Sequence, residues 1–388
     1  MLAAARPPQA EQVALADGLG RTLMEAVTAL RDQPPFDASA MDGWAVCAAD
    51  ATAGARLAIV GESAAGKPFG GTLAPGQAVR IFTGAPMPAG ADRVVIQENA
   101  ARDGDSVVLG DIAGAAHVRP SGGDLKAGQT VLSAGDRLDP WRIALAASAG
   151  AATLTAARRP RIAILANGEE LVLPGASPSP WQIFESASSG LEAMATMWGA
   201  DPIRLPAAAD DVDAIAGHLA DVQADLIVTV GGASVGDHDL VKPALARFGL
   251  ALSVETVAIR PGKPTWFGTL GDGRRVLGLP GNPASAFVCA QLFLKPLILA
   301  MLGRPAEPAL RRAVLAAPLP ANDMREQWMR ARLDFTDDGR VVVAPFAQQD
   351  SSLVGVFSRA DALLVRRAAA PAAAAGEVVD FLALERWS

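Results

Sequence analysis

Apolar positions change their spacing several times along this chain, and each change predicts a different kind of element. Between residues 9 and 31, Val13, Leu15, Leu19, Leu23, Val27 and Leu30 recur at near-helical intervals, while Gly18 and Gly20 interrupt the run. Two short helices are predicted there. From about residue 55 to 125 the text turns to short apolar runs, RLAIV, AVRIF, RVVIQ and SVVLG, separated by Gly, Pro and Asp clusters, which predicts a mostly β domain. After Arg158, RIAILA and DLIVTV read as compact buried strands, each leading into a glycine-containing loop, with helical stretches between them. Such alternation implies parallel βαβ units, whose ligands bind beyond the carboxyl ends of the strands. The loops beginning at Asn167 and Gly231 are therefore where chemistry is sought. The apolar stretch Ser285 to Leu302 is interrupted by Lys295 and Pro296 and predicts a buried core helix rather than a membrane span. From about 306 onward short strands return in WMRARLDF, RVVVAPF, ALLVRR and EVVDFLAL, and PAAAAG at 371 to 376 reads as a loop.

Composition narrows the function class more than the fold. A chain of 388 residues with 51% hydrophobic and 19% charged residues is globular and of multidomain size. Its net charge of −7 argues against a general nucleic-acid binder, since phosphate backbones are held by clustered Lys and Arg, and an anionic ligand would need local positive charge. Cys47 and Cys289 lie far apart, which indicates neither a disulfide framework nor a cysteine metal cluster and fits a reducing cytoplasmic compartment. The opening MLAAARPPQA has no signal-peptide core, so neither secretion nor a membrane role is expected.

Three loops carry candidate chemistry. GGASVGDHD, residues 231–239, leaves a buried strand with glycines that let backbone N–H groups approach a phosphate; Asp237 and Asp239 suit either a divalent cation or turn capping. RPGKP, residues 260–264, sets Arg260 and Lys263 on a rigid turn as an anion grip. LPGNP, residues 279–283, places Pro280, Gly281 and Asn282 before the apolar helix; Asn282 suits an N-cap and Pro283 the first helical position, leaving N–H groups that face an anion. Acids in polar loops form a second set: Asp42, Asp124, Glu169 and Glu170. Each is an ordinary turn residue by itself, and together with a pyrophosphate they could share one hard cation such as magnesium. His117, His218 and His238 show neither metal spacing nor a nucleophile-elbow order, so zinc and serine-triad chemistry are not read here.

Taken together the motifs resemble those of the bacterial MoeA proteins and their relatives, the gephyrin E domain and the plant Cnx1 E domain. The resemblance spans almost the whole chain through PPFDASAMDGWAV, VRPSGGDLKAG, ILANGEELVLPG, DLIVTVGGASVGDHDLVKP, VAIRPGKPTWFG, VLGLPGNPASAFV and QQDSSLVGVFSRADALL. It implies an α/β multidomain protein: residues 1–50 plus 126–157 as a discontinuous dimerisation domain, 51–125 as an inserted β domain, 158–305 as a three-layer MogA/MoaB-like catalytic domain, and 306–388 as a C-terminal β domain. The implied activity is a molybdopterin molybdenumtransferase, which places molybdenum from molybdate on adenylylated molybdopterin and releases AMP with the help of Mg2+. A homodimer is implied, with the cleft completed by the partner subunit, along with transient contact with a MogA-like adenylyltransferase and with molybdoenzymes or their chaperones.

Carried over by motif, Asp42, Asp124, Glu170, Asp239, Arg260 and Lys263 take catalytic roles, with Asp239 and Glu170 toward the metal. Gly231, Gly232, Ser234, Asp211, Pro280, Gly281, Asn282, Ser351 and Ser352 take substrate-binding roles. The chain departs from the family at Asn167 and Glu169, at Arg260 where the family has lysine, and most at Ile183 to Ala187, where Ile-Tyr-Asp-Ser-Asn becomes Ile-Phe-Glu-Ser-Ala. The missing asparagine amide keeps a second reading open, a catalytically weak paralogue that holds molybdopterin as a scaffold. A generic nucleotide-binding or pyrophosphatase module, as in the CinA family, is a third reading that the motifs at both ends disfavour.

Overall fold

The structure, a computed structural model, describes residues 1–231 and 240–385, and the chain divides into two compact units, Glu11–Ala156 and Met1–Ala10 with Ala157–Ser388.

In the first unit the four apolar runs form strands, as predicted, and lie in a six-stranded sheet of order Arg93–Ile96, Gly43–Val46, Gln77–Ile81, Arg56–Ser63, Ser106–Leu109 and Ala100–Asp103. Strand alternation fills both faces: Trp44 and Val46 join one apolar cluster with Leu57 and Val107, and Ala45 joins another with Val79, Ile81 and Val94. This sheet takes in Gly43–Val46, so it begins before the boundary expected at residue 51.

The two helices expected between residues 9 and 31 do not form. Ala10–Ala14 is a strand of alternating exposure, Leu15–Asp17 a single 3-10 turn, and Val27–Thr28 pairs with Thr130–Leu132. Leu23 and Val27 are buried against Leu125, Leu132 and Leu138, but Leu19 and Leu30 are 59% and 73% exposed, so no helical stripe exists. The near-helical spacing arises from an extended chain that turns at its glycines and wraps around a small core.

The second unit holds the α/β domain. In chain order it runs β1 (Arg161–Ala166), α1 (Ala187–Trp198), β2 (Asp201–Arg204), α2 (Val212–Ala220), β3 (Leu226–Val230), α3 (Val241–Ala246), β4 (Ala251–Val254), β5 (Trp266–Thr269), β6 (Arg275–Leu279) and α4 (Pro283–Met301). The sheet order is β2-β1-β3-β6-β5-β4, parallel through β6 and antiparallel beyond it. Ala163, Leu165, Ile227 and Val276 meet Ile215, Leu219, Val241 and Leu245 of α2 and α3, while α1 packs on β1 and on α4. Helices on both faces explain why β1 and β3 are uninterrupted apolar runs. In α4, a π-helical turn at Ala290–Leu294 precedes Pro296, which lacks the N–H that a regular helix needs, and 83% of its most apolar window lies buried inside the fold, as the sequence predicts.

The C-terminal strands Leu310–Leu315, Glu326–Phe335, Val341–Pro345, Ala362–Arg366 and Val378–Ala383 close on themselves, because Glu326–Phe335 pairs with both Val341–Pro345 and Ala362–Arg366. Ile259–Arg260 adds to this sheet in parallel with Glu326 and Gln327, tying the RPGK turn to it.

One close approach tests the packing of the α/β sheet. Gly278 of β6 is paired with Trp266 of β5, and a β-carbon there would lie 2.0 Å from the indole Nε1 and Cε2 of a fully buried Trp266. Gly278→Ala is expected to destabilise the protein by about 3 kcal/mol through overpacking. A urea unfolding midpoint that does not fall would contradict this account of the sheet.

Candidate functional site

The loops that leave β1, β3 and β6 open into a cleft of about 800 Å³. Asn167, Gly168 and Glu170 come from the first loop, Gly231 from the second, and Pro280, Gly281 and Asn282 from the third; Ile183 to Ala187 close one side and Ser352 with Val354 another. Strand-end loops were the predicted location, and Glu170, Gly231, Pro280, Gly281, Asn282 and Ser352 are all brought there.

Other predicted residues are placed differently. Asp211 caps α2, accepting the Ala214 N–H at 2.8 Å, and it is Asp210 that lines the cleft. Arg260 lies 3.6 Å from Asp323 and, like Lys263, does not line the cleft, whereas Pro264 of the same turn does. Asp42 and Asp124 belong to the other unit. There the Thr83 backbone N–H, and then its hydroxyl, hold the Asp42 carboxyl below the usual carboxylate range, with Arg80 acting in the same direction. Gly232, Ser234, Asp237, His238 and Asp239 lie outside the described residues.

Asn282 occupies the N-cap position of α4 without capping it: its amide donates to Ser351 Oγ at 2.8 Å. The Ala284 N–H donates to the Ser351 carbonyl at 3.1 Å, so one of the helix-end donors expected to face an anion is already used by the C-terminal β domain. Ser351 thus fixes the loop that carries Ser352 against the start of α4.

Beneath that loop sits a residue that sequence reasoning missed. Arg330 has no exposed surface; its Nε donates to Gln349 Oε1 at 3.2 Å and its Nη1 to the Asp350 carbonyl at 2.9 Å, while Nη2 is buried without a partner. Burial lowers its pKa from the usual guanidinium value, opposed by the Asp350 charge. An arginine in register with Trp328 on one face of a strand was the signal available in WMRARLDF. Two further groups carry orphaned acceptors: Asn167 donates from Nδ2 to Asp210 Oδ1 at 3.1 Å but leaves Oδ1 buried and unpartnered, and Glu185 leaves Oε2 in the same condition.

The RPGK turn is built on packing. Gly262 has φ of 118°, and a β-carbon there would lie 2.3 Å from Cys289 Sγ. Thr265 donates its hydroxyl to the Gly262 carbonyl at 2.8 Å and lies 3.1 Å from that sulfur, and burial pushes the Cys289 thiol up to about 12. Cys289 is therefore a protonated packing group at neutral pH, not a nucleophile.

Asp350 accepts the Ser352 hydroxyl at 2.6 Å and its N–H at 2.8 Å; the hydroxyl first, then the N–H, hold its carboxyl below the usual range. A depressed folded-state pKa means that this tie contributes fully above the ordinary carboxylate pKa and is lost as pH falls through the lowered value. Amide exchange at Ser352 is expected to stay slow from neutral pH down past about pH 4 and then accelerate faster than intrinsic exchange predicts, with Asp350→Asn abolishing that acid step. An identical profile in wild type and variant would remove Asp350 from control of the loop.

Three family matches span the chain: the MoeA N-terminal region (domain I and II) over residues 1–150, a probable molybdopterin binding domain over 163–300, and the MoeA C-terminal region (domain IV) over 312–384. A Mycobacterium tuberculosis protein named molybdopterin molybdenumtransferase 2 is 39% identical over 356 residues, covering 86% of this chain and 85% of its own. A Nostoc sp. molybdopterin molybdenumtransferase is 36% identical over 330 residues, covering 82% and 76%. The crystal structure of a molybdopterin biosynthesis moeA protein from Pyrococcus horikoshii aligns with a TM-score of 0.84 at 28% identity, covering 100% of this chain and 97% of that one.

Proposed function

The chain belongs to the MoeA family and is a transferase of molybdenum cofactor biosynthesis, and we propose that its α/β cleft takes adenylylated molybdopterin and molybdate, places molybdenum on the dithiolene and releases AMP. The observation that carries this reading is one cleft in which the β1, β3 and β6 loops present Glu170, Gly231 and Asn282 together with Ser352. Gly231 and Gly281 lack side chains where a pyrophosphate would lie against backbone, and Ser352 adds a hydroxyl from the C-terminal domain.

Magnesium enters the proposal with the substrate. A hard cation takes phosphate oxygens and waters, needs few protein ligands, and neutralises charge on the phosphoryl oxygens. Glu170 is the described acid of the motif set that lines the cleft, and among the described residues no three His, Cys, Asp or Glu side chains gather as a preformed metal site. Asp239 stands beside Glu170 in this reading from the resemblance alone. Asp42 and Asp124 are assigned to the cleft of a partner copy in a homodimer. A MogA-like adenylyltransferase supplies the substrate, molybdoenzymes or their chaperones receive the product, and the setting is the cytoplasm. Arg260 and Lys263 receive molybdate in this scheme, which requires Arg260 to leave Asp323.

Ala187 favours a second reading, the weak scaffold, because the start of α1 on the cleft wall carries a methyl where the family has an amide. Purified protein given adenylylated molybdopterin is expected to release AMP only when both molybdate and magnesium are present, and Glu170→Gln to slow release about 100-fold. Tight molybdopterin binding with no AMP would instead establish the scaffold, and neither binding nor release would defeat both readings.

A further inference from the structure

Glu185 is an unusual residue to find buried. It is 4% exposed, sits just before α1, and lines the cleft. One oxygen has a structural task, since Oε1 accepts the Ser188 N–H at 2.6 Å and so satisfies a donor in the first turn of α1. The other, Oε2, is buried with no partner. A carboxyl oxygen out of water without a donor is costly, and such atoms are rare enough in folded proteins that each calls for an explanation. Asn167, whose Oδ1 is also buried and unpartnered, lines the same cleft.

Two acceptors without donors constrain what binds there. A pyrophosphate or molybdate oxygen would be repelled by the carboxylate, so this end of the cleft does not take the anionic part of the substrate. The adjoining wall is Leu171, Ile183, half-exposed Phe184 and Ala187, an apolar surface suited to a flat ring. On the substrate assigned above, the adenine edge sets one amino group beside a ring acceptor. The pterin edge sets a 2-amino group beside a ring N–H, two donors side by side, and an acceptor-only carboxylate fits the second pattern.

We propose that Glu185 is a substrate-recognition residue whose free oxygen reads the amino-substituted edge of the pterin ring. The proposal deepens the assignment of the cleft and rests on it. It also gives the Ile-Phe-Glu-Ser-Ala segment a function of its own, as the wall that discriminates pterin from other fused rings.

Glu185→Gln tests this, because the amide oxygen still accepts the Ser188 N–H while the other position becomes an NH2 that meets the pterin donors head-on. Full-length protein would be titrated calorimetrically with 6-hydroxymethylpterin, with 6-hydroxymethyllumazine, which has oxygen in place of the 2-amino group, and with AMP. A lost hydrogen bond to a charged group corresponds to about a 10- to 100-fold weaker Kd for the pterin in the variant. AMP affinity and the thermal midpoint are expected to stay unchanged, and lumazine to bind the wild type weakly and the variant more tightly, because the new NH2 can donate to its 2-oxo group. Equal pterin affinity in wild type and variant would overturn the role of Glu185 while leaving the cleft assignment standing. So would a wild type that binds lumazine as tightly as the pterin, a result independent of how the variant folds. Loss of AMP affinity in a folded variant would move Glu185 to the nucleotide end, and a wild type that binds no pterin would overturn the cleft assignment as well.

Discussion

Everything at this site depends on three parallel strands ending at one level. Ala166 is in register with Val230, and Val230 with Leu279, so the chain leaves the sheet at Asn167, Gly231 and Pro280 side by side. Parallel pairing is stable only when both faces are covered, and the helices that cover them also return the chain in the same direction for each new strand. A slip of one residue in β6 would turn its core side chains to the opposite face and withdraw Asn282 from the cleft together. Sheet register and site geometry are one constraint here, which is why Gly278 and Trp266, remote from any ligand, belong to the functional description.

The second support comes from the closed C-terminal sheet. Among the described residues Arg330 has no carboxylate in direct contact, and its buried guanidinium is stabilised by what it donates to, the Gln349 side chain and the Asp350 carbonyl, and by the nearby Asp350 charge. Those bonds hold the loop whose Ser351 docks on the start of α4 and whose Ser352 faces the cleft. Stability is spent on order at the site, in the manner expected of a residue whose charge is wanted nearby more than its packing.

Legibility in the sequence followed the physics of burial. Strands covered on both faces had to be continuous apolar runs, and RIAILA and DLIVTV were read as such, whereas the shorter or more polar Gly43–Val46, Ala100–Asp103, Asp201–Arg204 and Leu310–Leu315 were not. The segment from 9 to 31 misled because extended chain with glycine turns spaced its apolar residues as a helix would. Site identity was legible as loop chemistry, since glycine, proline and acid combinations are recognisable without coordinates. Site geometry was not: nothing in AADD says that Asp211 caps a helix while Asp210 turns to the cleft, and nothing in RPGKP says that Arg260 meets Asp323. Glu185 was noticed only as a departure from a motif, because an orphaned oxygen exists only once the fold has removed water from around it.

Composition suggested that an anionic ligand would need local positive charge, and the cleft complicates that inference. Its described lining includes Glu170, Glu185 and Asp210 and contains no lysine or arginine. Like charges a few ångströms apart repel by about 4 kcal/mol at an effective dielectric of 20, so a bare pyrophosphate would be disfavoured against this wall. Two features offset the repulsion. Asp210 is already engaged by the Asn167 amide, and Glu185 Oε1 by the Ser188 N–H, so part of each charge is satisfied inside the protein. The remaining charge, at Glu170, matches a substrate that arrives already complexed to a divalent cation better than one that arrives as a free anion. Under the proposed assignment, that acidity would favour substrate that carries a divalent cation, while the ring is read by the Glu185 acceptor.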